Sequence, residues 1–126
     1  MKQNNVILER TYAFGLRIVK LYMYLRKQKV ERELLLQLLR SGTSIGANIE
    51  EAVGAQSKTD FIHKVSISYK EARETTYWLS LLKDAQLLDD KLARSFLNEI
   101  DEIRKILAAI LKSSKGIKNE ELRIKN

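Results

Sequence analysis

The chain contains no cysteine and no proline, only five glycines, and a single histidine and a single tryptophan among 126 residues. Without cysteine there is no disulfide framework and no thiolate metal site, and a reducing cytoplasm is a compatible setting. One histidine, His63, is too few for a di-iron bundle site, which needs two Glu-x-x-His units. Proline and glycine are the usual interrupters of helices. Their scarcity, beside an abundance of Leu, Ile, Lys, Glu and Arg, implies long helices and short connections. No stretch approaches the roughly 18 uncharged apolar residues of a membrane span, and Met1–Asn5 lacks the apolar core of a signal peptide. A soluble, cytoplasmic protein without membrane association is therefore expected. Strand-type alternation, internal repeats and a strand-borne phosphate loop are all missing from the pattern.

What the chain has is positive charge, unevenly placed. The formal net charge is +7, and residues 1–30 alone carry seven basic groups against one acid. A localised positive face suggests phosphate or another acidic partner; the plainer alternative is a solvated helix surface.

Hydrophobic periodicity predicts four helices in one domain. The first spans about 5–28 and the second about 31–55, with no Gly or Pro marking the break between them. Ser57-Lys-Thr-Asp60 matches a capping box and starts a third helix reaching about residue 86. Asp89 caps a fourth, expected to end near Ser113–Gly116 with Gly116 as its C-terminal cap. Residues 1–114 then form the bundle domain and 115–126 a polar, flexible tail. The later helices carry apolar stripes with alternating spacings of three and four: Leu35, Leu38, Gly42, Ile45, Ile49 and Ala52 in the second; Phe61, Val65, Ser68, Ala72, Thr75, Leu79 and Leu82 in the third; Phe96, Ile100, Ile103, Leu107 and Ile110 in the fourth. A repeat of roughly 3.5 residues suits helices crossing at about 20°. Short loops force neighbours antiparallel, so the expected fold is an all-α, up-down-up-down four-helix bundle.

The first helix carries two apolar sectors. Leu8, Tyr12, Leu16, Val19, Tyr22 and Met23 form one, wide enough to face the core, and Phe14, Ile18, Leu21 and Leu25 form another, roughly opposite. A bundle ordinarily leaves one face of each helix wet, so the second sector is assigned to a homo-oligomer interface, the alternative being deeper burial of this helix. Between the sectors lie Arg10, Arg17, Lys20 and Lys27, with Tyr24 among them; this basic stripe is the candidate nucleic-acid contact.

Arg40-Ser-Gly-Thr-Ser-Ile-Gly-Ala-Asn-Ile-Glu-Glu-Ala52 is unusual because Ser, Thr, Gly and Asn all weaken a helix, glycine by about 1 kcal/mol. Small side chains suit close packing. Ser44, Asn48 and Glu51, four and three residues apart, share one face and suggest a polar network to the third helix, where Ser68, Glu71 and Thr75 are available. A catalytic or Mg²⁺-binding alternative would use Glu50, Glu51, Glu71 and Glu74, with Arg73 lying awkwardly among them. Tyr77 and Trp78 continue an apolar segment and read as packing anchors rather than a base-stacking platform.

The Arg40–Ala52 block, followed by Gln56-Ser-Lys-Thr-Asp-Phe61 and Lys70-Glu-Ala-Arg-Glu-Thr-Thr-Tyr-Trp-Leu79, resembles the four-helix-bundle family of 23S rRNA-intervening sequence proteins. The related accessory variability determinants of diversity-generating retroelements look like members of the same superfamily. The resemblance covers roughly residues 8–112. Ser44, Asn48 and Glu51 match the family's Ser-x-x-x-Asn-x-x-Glu core, and Glu71, Glu74, Tyr77 and Trp78 its third-helix block, whereas the proline often found between the first two helices is absent. The resemblance implies a ring-shaped homo-oligomer, notably a pentamer, and for the retroelement branch a reverse transcriptase partner and nucleic-acid binding through basic surface. The combined expectation is a non-enzymatic oligomer without cofactor or metal, binding RNA or DNA without regard to sequence. The alternatives are a metal-dependent nucleotide hydrolase and a purely structural or adaptor oligomer.

Overall fold

Four helices follow one another: α1 (Lys2–Lys27), α2 (Arg32–Val53), α3 (Lys58–Asp84) and α4 (Asp90–Lys125). The structure, a computed structural model, describes the backbone of residues 2–125 and the side chains of residues 6–115. α1 packs on α2, α2 on α3 and α3 on α4, while the closing contact between α1 and α4 is the sparsest. Short connections make each neighbouring pair antiparallel, giving the expected up-down-up-down bundle.

Local chemistry sets the ends. Ser57 adopts an extended conformation and its side chain accepts the Asp60 N–H at 3.1 Å. Asp89 accepts the Leu92 N–H at 3.1 Å, opening α4. The break after α1, unmarked by Gly or Pro, is a Schellman motif built on a lysine. Lys29 has φ 64°, its N–H donates to Arg26 O, and the Val30 N–H reaches back to Leu25 O. α3 ends in the same way, with Gln86 at φ 62° and the Leu87 N–H donating to Leu82 O. Gly116 does not cap α4, which continues to Lys125, because a single glycine costs a helix only about 1 kcal/mol. Of the tail expected at 115–126, the side chains of residues 116–126 lie outside the described residues.

The stripes of α2, α3 and α4 point inward, buried from Leu35 to Ala52, Val65 to Leu82 and Phe96 to Ile110, with Phe61 half-buried at the start of α3. Each fully buried Leu, Ile or Phe contributes about 1.5–3 kcal/mol. Among the described residues, the four buried polar side chains, Thr11, Ser41, Ser68 and Thr75, are all hydrogen-bonded. Three bond to a carbonyl of their own helix, whereas Ser68 Oγ donates across to Ile45 O on α2 at 2.9 Å.

α1 packs the other way round from the expectation. Phe14, Ile18, Leu21 and Leu25, expected at an oligomer interface, are core residues, buried together with Ile7 and Thr11. Tyr12, Leu16, Val19 and Met23, expected in the core, lie on the outside. The inward set, 7-11-14-18-21-25, has the same four-three alternation as the other stripes. It is interrupted by a threonine whose hydroxyl is satisfied by Ile7 O at 2.8 Å.

The reason for the orientation is α2. A Cβ on Gly42 would lie 2.9 Å from both Cγ1 and Cγ2 of Ile18, and one on Gly46 would lie 3.1 Å from the Thr11 carbonyl oxygen. Glycine at these positions lets α1 approach α2 until Ile18 and the Thr11 backbone fill the space a side chain would take. The small residues of the 40–52 block are therefore the contact surface for α1.

Candidate functional site

Three surfaces carry the residues singled out from the sequence. The first is the α1–α4 seam, which divides the basic stripe in two. Arg10 is ion-paired with Glu102. Arg17 donates to Glu99 Oε1 at 2.6 Å and to Ser95 Oγ at 3.2 Å, and its guanidinium lies 4.0 Å from the centroid of the Phe96 ring. Phe96 meets Phe14 edge-on at 6.0 Å. Arg17 thus holds α4 to α1, half-buried, by a charge-assisted bond and a cation–π contact. Lys20 and Lys27 are exposed and make no ion pair among the described residues. Lys20 and Tyr24 flank a groove of about 250 Å³ floored by Leu21, Leu92 and Phe96. Lys91, exposed, lies one turn before Ser95 and so on the same side of α4. The seam is neutralised at Arg10 and Arg17, whereas Lys20 at its groove and Lys27 beyond it stay unpaired among the described residues.

The second surface is the α2–α3 seam. Arg40 reaches both Glu74 and, at 3.5 Å, Glu71, and the Trp78 indole N–H donates to the same Glu74 oxygen at 3.2 Å. The Arg40 guanidinium, and then the Trp78 donor, hold the Glu74 carboxyl below its ordinary range, and the pairing raises Arg40 in turn. Lower down, Glu51 faces Lys64 at 3.6 Å. Glu51, Glu71 and Glu74 do link the two helices, but Ser44 and Asn48 do not. Ser44 Oγ donates to Arg40 O at 2.6 Å and Asn48 Nδ2 to Ser44 O at 2.8 Å, both within α2. Short polar side chains in a helix find the carbonyl one turn back before they reach a neighbouring helix. The partner that closes the network is Arg40, which opens the 40–52 block but was not among the residues expected to form it.

This pairing also bears on the hydrolase alternative. Glu71 and Glu74 are occupied by a guanidinium, and no cluster of three or more His, Cys, Asp or Glu able to hold a metal ion occurs among the described residues. His63 is exposed near the start of α3. Trp78 is half-buried as a packing anchor, whereas Tyr77, edge-on to it at 5.0 Å, is 58% exposed.

The third surface is the outward sector of α1. Tyr12 is 74% exposed, Leu16 47% and Met23 57%. Tyr12 and Leu16, with Leu8, Val19, Gly46 and Ala47, border a groove of about 490 Å³ between α1 and α2, edged by Glu50. So many large apolar side chains on one side of a helix constitute an unpartnered apolar face.

These features define an all-α, antiparallel four-helix-bundle protein with charged seams and one apolar outer face. The chain belongs to the family of 23S rRNA-intervening sequence proteins, whose model matches residues 3–109. It is similar to a crystal structure of a protein of unknown function from the S23 ribosomal protein family of Bacteroides thetaiotaomicron. The two are 45% identical with a TM-score of 0.85, over 87% of this chain and 98% of that one. No curated protein matches. Neither similarity indicates a catalytic family. Among the described residues, no helix is long and apolar enough to cross a membrane.

Proposed function

We propose that the protein is a non-catalytic bundle that assembles with copies of itself and binds nucleic acid through the Lys20–Lys27 half of the α1–α4 seam. The reading rests on the division of the basic stripe: Lys20 stands exposed beside the groove and Lys27 stands exposed one turn beyond Tyr24, while Arg10 and Arg17 are consumed in holding α4. Exposed ammonium groups that are not tied up in ion pairs attract phosphate and release its counterions, so binding is insensitive to sequence and weakens steeply with salt. The outer face of α1, not the buried Phe14–Leu25 stripe, is the assembly surface in this reading. A closed ring, pentameric as the resemblance implies, would repeat the lysines around its circumference and multiply a modest contact. A nucleic-acid-processing partner such as a reverse transcriptase would meet the same basic ring.

The test is a titration of labelled RNA and DNA at two salt concentrations, comparing wild type with a Lys20→Glu/Lys27→Glu double variant. Removing one lysine–phosphate pair should lower the salt slope by about 0.7–0.9. Equal affinity and equal slope in the two proteins would remove this surface. Arg17→Glu is unsuitable as a probe, because it breaks the α1–α4 seam.

A further inference from the structure

Two shallow clefts meet at Tyr24. One is the α1–α4 groove beside Lys20; the other, of about 320 Å³, lies at the end of the bundle where the α1–α2 and α3–α4 loops emerge. Its walls include Tyr24, Gln28, Val30, Gln86, Leu87 and Asp89. That volume is within the range of about 300–1,000 Å³ typical of small-ligand sites. The loops that frame it are held in place. Lys29 and Gln86 sit in the left-handed region, each with its N–H bonded to the preceding helix at 3.0 Å.

The lining is specific in its chemistry. It offers one aromatic ring, 52% exposed; two carboxamides, each both donor and acceptor; a carboxylate; and an apolar wall from Leu87 and Val30. One oxygen of Asp89 is engaged by the Leu92 N–H, and its second has no hydrogen bond among the described residues. No cation lines the cleft, yet Lys20 and Lys27 flank Tyr24 one turn away on either side, on the same face of α1. A flat heteroaromatic ring with polar edges, joined to phosphates on both sides, is complementary to that arrangement. An unstacked nucleobase in a single strand is such a group, and a paired base in a duplex cannot enter.

Building on the nucleic-acid reading of the seam, we infer that the preferred ligand is single-stranded. One base enters the end cleft and stacks on Tyr24, Gln28 and Gln86 meet its polar edge, and the flanking phosphates lie on Lys20 and Lys27. Tyr24 is a binding residue here through its ring alone, so phenylalanine should replace it and alanine should not.

Fluorescence anisotropy with a labelled strand of about 12 nucleotides and its blunt duplex tests this directly. Wild type should bind the single strand more tightly, and Tyr24→Ala should weaken that binding roughly tenfold while weakening duplex binding far less. Tyr24→Phe should restore it. Lys20→Glu/Lys27→Glu should weaken both ligands. If duplex binds as tightly as single strand, or Tyr24→Ala and wild type bind the strand alike, the base cleft is refuted; loss of binding in the lysine variant would then still sustain the seam. No binding of either ligand by wild type at low salt overturns both. Tyr24 is largely solvated and its hydroxyl makes no hydrogen bond among the described residues, so the alanine variant should keep the wild-type circular dichroism spectrum.

Discussion

Replacing glycines one at a time along the α1–α2 interface should give opposite signs at positions that look alike in sequence. Glycine to alanine in a helix is favourable by about 1 kcal/mol where the new methyl meets nothing. At Gly15 the nearest atom to an added Cβ is Thr43 Cα at 3.9 Å, an ordinary contact, so Gly15→Ala should stabilise by about that amount. At Gly42 the same methyl would lie 2.9 Å from two carbons of Ile18 and 3.2 Å from a third. Ile18 is fully buried and β-branched, with little freedom to turn away. Overpacking of this kind costs about 1–3 kcal/mol, which cancels or exceeds the gain in helix propensity. Gly46→Ala meets the Thr11 carbonyl at 3.1 Å, and the helix backbone must move a few tenths of an ångström to relieve it. Urea or thermal unfolding followed at 222 nm, at one fixed protein concentration because assembly would shift the midpoint, separates the three variants. A double-mutant cycle sharpens the test. In an Ile18→Ala background the obstructing carbons are gone, so Gly42→Ala should become stabilising, with a coupling of about 1–3 kcal/mol. If Gly42→Ala stabilises the wild type as much as Gly15→Ala does, the close approach of α1 to α2 is wrong.

Three further outcomes follow from the same geometry. Leu16→Glu places a charge on the exposed apolar face and should reduce the mass seen by light scattering coupled to size exclusion with little change in the helical spectrum; a monomeric wild type near 14.6 kDa would refute assembly on that face. Glu74 is held below its ordinary range, so the stability it confers is complete above a pH of about 4.3 and is lost as pH falls through the lower folded-state value. Glu74→Gln should consequently flatten the acid limb of the stability–pH curve, and an unchanged limb would show that the Arg40 pair does not persist in solution. Lys29→Gly removes a left-handed non-glycine residue from the α1–α2 turn and should stabilise by about 0.5–1 kcal/mol in chemical denaturation; a loss would mean that the turn does not hold that conformation.

The sequence by itself determined the number and type of elements, the caps at Ser57 and Asp89, and the inward faces of α2, α3 and α4. These are local properties: a side-chain oxygen reaching an N–H three residues on, or a period of three and four that only one face of a helix can satisfy. The family resemblance was legible for the same reason, because it is carried by a contiguous block. The orientation of α1 was not. Both of its sectors are apolar enough to be core, and Thr11 disguised the one with the better period. Only the glycines of α2, fitted against Ile18 and the Thr11 carbonyl, decide between them. The pairing of charges was equally hidden, since Arg17 with Glu99, Arg10 with Glu102 and Arg40 with Glu74 join residues 34 to 92 positions apart. The seam joins α1 to α4 and the end cleft joins the α1–α2 turn to the α3–α4 turn, so their chemistry exists only once these distant segments have packed together.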